Sequence, residues 1–122
     1  MTKSPNNESD LKKRITAACV GLVFISETDS PVEPFFGRRP AKSKSIEIEF
    51  DRFFDRLTAR KDWHTKRNVK NTDGFAKLKA LLEAELDDLR VYRVGEVQID
   101  IFVIGRDKHG KTAGVKMKAV ET

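Results

Sequence analysis

Apolar residues recur along this chain with two periods, and the period switches once. In the first part the spacing is helical. Leu11, Ile15, Ala18 and Leu22 follow a capping Ser9 or Asp10, so a helix is expected to about Val20, with Gly21 as its stop. Leu22–Ile25 is a short apolar run that leads into Ser26–Ser30, and Pro31 and Pro34 predict a loop there. Ile46 and Ile48 alternate with Glu47 and Glu49, a brief extended piece. Phe50, Phe53, Phe54 and Leu57 predict a short amphipathic helix after Asp51. A polar connection over roughly Arg60–Asn71 then precedes a helix capped by Thr72 or Asp73, whose stripe is Phe75, Leu78, Leu81, Leu82 and Leu86.

From Val91 the period is two. Val97, Ile99, Ile101 and Val103 line one face of a long strand, with Glu96, Gln98 and Asp100 opposite. Phe102 and Ile104 make the second face apolar at its far end, which predicts cover on both sides there. Asp107-Lys108-His109-Gly110 is a turn signal, and Ala113, Val115, Met117 and Ala119 alternate on the return strand. Helices first and antiparallel strands last predict an α+β fold. The length suits one domain, so residues 1–8 are expected as a flexible tail and 9–122 as a single domain.

Charge changes this picture through its distribution. The net charge is +5, yet residues 38–79 hold 13 Lys/Arg against 6 Asp/Glu, while residues 80–105 hold 2 against 6. Residues 15–37 contain no Lys or Arg and carry Glu27, Asp29 and Glu33. The basic block, with Trp63 inside it, makes a basic nucleic-acid-binding domain the alternative reading. Against it, the Phe residues occupy helical core spacing, which leaves them unable to stack on bases. Gly37–Ser45 is basic and irregular and is expected to be an excursion.

Candidate chemistry is sparse. His64 and His109 lie in polar connections without metal-ligand spacing, and Gly105 and Gly110 flank a hairpin turn rather than a phosphate loop. No catalytic residue is identified, and an enzyme is not expected. The single cysteine, Cys19, sits in a helical pattern as a small buried thiol. The N-terminal residues lack the apolar stretch of a signal peptide, and no run approaches the ~20 residues of a membrane span. A soluble, cytoplasmic protein is expected.

Several short stretches resemble the nuclease A inhibitor family, whose members block a sugar-non-specific, magnesium-dependent nuclease. They are Gly21-Leu22-Val23-Phe24-Ile25-Ser26-Glu27, Phe53-Phe54, Asp62-Trp63, Val91–Val97, Asp100, Val103-Ile104-Gly105, Ala113-Gly114 and Val120-Glu121-Thr122, in that order. The resemblance implies an α-β-α sandwich of the pathogenesis-related-protein type with a C-terminal antiparallel sheet. It implies a protein partner, the nuclease, with three partner-binding residues. Thr122 would reach the nuclease's catalytic magnesium, Glu27 would meet arginines of the substrate cleft, and Trp63 would face the partner from a loop. No cofactor of the chain's own is implied; any magnesium would bridge Thr122 to the nuclease. The resemblance also implies an acidic protein, and the net +5 departs from that. A family member with an unrelated protein partner is a further alternative.

Overall fold

A computed structural model describes residues 8–25, 29–38, 40, 45–58 and 66–120. Three helices, α1 (Glu8–Cys19), α2 (Phe50–Thr58) and α3 (Lys66–Glu85), pack with seven strands. The strands are β1 (Val23–Ile25), β2 (Asp29–Pro31), β3 (Glu33–Phe35), β4 (Ile46–Ile48), β5 (Asp87–Val94), β6 (Gln98–Arg106) and β7 (Thr112–Val120). β3-β7-β6-β5-β4 form an antiparallel five-stranded sheet, and β1-β2 form a separate hairpin. The class is mixed α+β, as the switch of period predicts.

The long hairpin shows how alternation sets the core. Ile99 stands opposite Ala119, Ile101 opposite Met117 and Val103 opposite Val115, and all six are buried. They join one cluster with Leu11 and Ile15 of α1, Phe50, Phe53 and Phe54 of α2, and Phe75, Leu78 and Leu82 of α3. Each Val, Leu, Ile, Phe or Met side chain fully buried contributes about 1.5–3 kcal/mol of transfer free energy. The other face carries Phe102 opposite Lys116 and Ile104 opposite Gly114, with the Phe35 ring edge-on to Phe102 at 5.0 Å. Ile104 is fully buried and Phe102 half-buried.

α1 ends where Gly21 adopts a φ of 73°, a left-handed value that the missing Cβ makes inexpensive. α2 and α3 run antiparallel: Lys79 meets Asp51 at 3.4 Å, and the Phe54 and Phe75 rings lie 6.5 Å apart. At the far end of α3, Glu85 accepts a hydrogen bond from Arg14 of α1.

Four local expectations change. The proline-containing segment is extended rather than a loop, because β3 is an edge strand, where a missing N–H costs no ladder bond. α3 begins at Lys66, so Thr72 is not a cap but a buried helix residue. β5 starts at Asp87, before the period-two pattern is visible, because Asp88 at φ 54° and a register shift between Asp87 and Arg90 interrupt the alternation. Val97 lies in the β5–β6 turn and is 53% exposed, so it does not join the core face. The expected tail 1–8, except Glu8, and most of the 37–45 excursion lie outside the described residues.

Candidate functional site

Glu27, Trp63 and Thr122 all lie outside the described residues, so the structure speaks to the elements that carry them. Residues 26–28 connect the paired Ile25 and Asp29 of the β1–β2 hairpin. Val120, two positions before Thr122, ends β7 opposite Gln98. Residues 59–65 connect α2 to α3.

These three supports are tied together. The backbone N–H of Lys118 donates to the Ser30 hydroxyl at 3.2 Å, which fastens β2 beside the closing residues of β7. Because Glu33 pairs with Lys116 and Phe35 with Gly114, the chain before Glu33 runs toward the Val120 end of β7. The side-chain amide of Asn71 holds β1 to α3 through both groups of one residue. It accepts from the Val23 N–H at 2.9 Å and donates to the Val23 carbonyl at 2.7 Å. Two complementary bonds fix which end of the amide is oxygen. The Phe24 ring stacks on Phe53 of α2 at 6.1 Å, which sets the same hairpin against the second helix.

The hairpin therefore bridges the C-terminal strand on one side and the α2–α3 pair on the other. Ser30 and Asn71 are the residues that sequence reasoning missed, since both fall in segments expected to be polar connections.

Elsewhere the titratable groups have structural explanations. Asp107 closes the β6–β7 turn by accepting from the N–H groups of His109 at 2.8 Å and Lys111 at 2.9 Å, and His109 itself is exposed. Burial, helped by the negative charge of Glu33, raises the Cys19 thiol from 9.0 to about 11, so it stays protonated at neutral pH. Among the described residues, no group of three His, Cys, Asp or Glu side chains could hold a metal ion. Nor is any described helix long and apolar enough to cross a membrane.

No curated protein matches the chain. The profile of the family described as nuclease A inhibitor-like protein, NuiA, matches residues 9–122. That span takes in the hairpin, both helices flanking residues 59–65, and the closing strand, and on this ground the chain belongs to the nuclease A inhibitor-like protein family.

Proposed function

We propose that this protein inhibits a sugar-non-specific, magnesium-dependent nuclease by occluding its active site. Family membership supports a nuclease-inhibitor role in general, with a nuclease as the protein partner. The finer reading assigns three roles. The α-carboxylate of Thr122 has a reference pKa of ~3.3–3.7 and is ionised at neutral pH. With its hydroxyl, it offers the hard oxygen atoms that magnesium prefers, where phosphate oxygens of a substrate would otherwise sit. Glu27 imitates a phosphate toward guanidinium groups, which bind both anions through paired donors. Trp63 supplies an aromatic anchor at the contact.

The observation that carries this reading is the joining of the three supports. Ser30 binds the β1–β2 hairpin to β7, and Asn71 binds the same hairpin to α3. An inhibitor that acts through three separate segments needs them held in register before binding, so that little ordering entropy is lost on contact. The rival reading, direct nucleic-acid binding, has no stacking platform on α2, because Phe50, Phe53 and Phe54 are buried.

Appending two glycines after Thr122 tests the central claim. Inhibition of a sugar-non-specific, magnesium-dependent nuclease acting on plasmid DNA should fall on the order of a hundredfold, a cost within the range for an uncompensated buried charge contact. The melting temperature should not move, since the addition lies beyond the sheet. Undiminished inhibition by the extended chain would remove the metal-directed role of Thr122.

A further inference from the structure

Three large apolar side chains are more than half exposed among the described residues: Val20 at 79%, Ile46 at 68% and Val97 at 53%. Single exposed apolar residues are ordinary on a protein surface and need no explanation. Two of these, however, lie at one end of the sheet. Gln98 pairs with Val120, so the β5–β6 turn, residues 95–97, adjoins the point where β7 ends. Ile46 pairs with Arg93, one position before the last residue of β5, so β4 begins at that same end. The Asp29 end of the β1–β2 hairpin approaches it from the opposite edge, through Ser30 and Lys118.

The turn that presents Val97 depends on Gly95. Gly95 has a φ of 113°, and a Cβ there would lie 2.2 Å from the Gln98 carbonyl oxygen. Only glycine fits such a turn. Turn tips ordinarily carry polar residues, for which Val97 is an exception. Glu96 beside it is exposed, which places a carboxylate next to the apolar tip.

We infer that the Glu96–Val97 turn, with Ile46 exposed at the same end of the sheet, is a fourth contact element for the nuclease, beside the point where β7 ends at Val120. The inference rests on the proposed inhibitor function. The occupant is the rim of the nuclease's substrate cleft. Val97 and Ile46 cover apolar surface there, and Glu96 faces cations that otherwise bind phosphate. The commitment to this partner comes from continuity with the C-terminal strand and from the charge of Glu96. The turn acts by exclusion as well as contact, since a water-free rim strengthens the charged contacts inside it.

The test compares V97S, the double variant V97S/I46S and the chain with two glycines added after Thr122, each against wild type. Inhibition constants are measured on one magnesium-dependent, sugar-non-specific nuclease, and melting temperatures are recorded in parallel. Roughly half of the Val97 side chain remains to be covered, so V97S should weaken inhibition about fivefold. The double variant should weaken it roughly twentyfold, because separated sites combine multiplicatively. Melting temperatures of V97S and wild type should agree within about 1 °C, as expected for an exposed turn position. If V97S and V97S/I46S inhibit within twofold of wild type while the glycine-extended chain fails, the fourth contact is overturned and the inhibitor function stands. If wild type inhibits no such nuclease, both fall together.

Discussion

Asn71→Ala isolates the clamp between α3 and the hairpin. The wild-type amide makes two hydrogen bonds to one residue, at 2.9 and 2.7 Å from Val23. The Val32 N–H donates to the Leu22 carbonyl, so Val23, the next residue, turns its own N–H and carbonyl away from β2, and the ladder cannot take over for the lost amide. A typical hydrogen bond contributes about 1 kcal/mol net, so the pair should contribute about 2 kcal/mol. Val23 and Asn71 are both half-buried, and water entering the gap keeps the loss from reaching the full penalty of two stranded buried groups. Over 122 residues, an unfolding entropy of roughly 2.1 cal/mol/K per residue converts that loss to a drop of about 8 °C in Tm. Urea unfolding should show a lower midpoint at an unchanged slope. Asn71→Asp restores only one bond and turns a carboxylate oxygen toward the Val23 carbonyl, so it should be no more stable than the alanine variant. Both variants should also inhibit the nuclease less well at temperatures where they are fully folded, because the supports of Glu27 and Trp63 are no longer joined. A loss below about 0.5 kcal/mol for Asn71→Ala would refute the clamp, since it would place the bonds at the level of ordinary surface changes.

Three further outcomes follow from the core. Phe54 is fully buried with the rings of Phe50, Phe53 and Phe75 at 4.8, 5.5 and 6.5 Å, so Phe54→Ala should cost about 3–5 kcal/mol by urea unfolding. Cys19 holds its proton more tightly when folded, rising from 9.0 to about 11 through burial and Glu33. The unfolded chain therefore binds fewer protons between those values, and stability falls as pH rises through that window. The difference in stability between wild type and Cys19→Ala should be flat below pH 9 and shift against wild type above it. At pH 8 a thiol reagent should react only after denaturant is added.

Much of this fold is legible in the chain because its core elements are strongly periodic. The Phe50, Phe53, Phe54 stripe and the alternating Ile99–Val103 and Ala113–Ala119 runs each bury what their spacing predicts. The start of α3 is hidden because Lys66–Asn71 carries one apolar residue, Val69, and one residue sets no hydrophobic period. The extended form of Pro31 and Pro34 was hidden because proline's tolerance depends on being at an edge, which is a property of the assembled sheet. The candidate site divides in the same way. Glu27, Trp63 and Thr122 are proposed from short stretches of resemblance and lie outside the described residues. Ser30 and Asn71 are not legible in the sequence, because their hydrogen bonds reach across 88 and 48 positions to backbone groups, and no local pattern records such a partner.

The net charge of +5 bears on inhibition only through where the positive charges sit. Arg106, Lys108 and Lys111 cluster at the β6–β7 turn, the opposite end of β7 from Val120. β7 is nine residues long, or about 30 Å at the usual rise per residue. Two unit charges at that distance in water interact by only ~0.14 kcal/mol before screening. The separation is also nearly four Debye lengths at roughly 8 Å each, so salt removes most of what remains. Toward the Val120 end stand exposed Glu96 of the β5–β6 turn and exposed Asp29 of the separate β1–β2 hairpin, and Lys118 there stands opposite Asp100. A nuclease approaching that end senses these nearby carboxylates far more strongly than the cations of the distant turn. If the chain acts as proposed, acidity is needed only within about a Debye length of the contact. Under the proposed mechanism the distant cations of the β6–β7 turn do not weaken the contact, whereas the basic block of residues 38–79 contains Trp63 and bears on it directly.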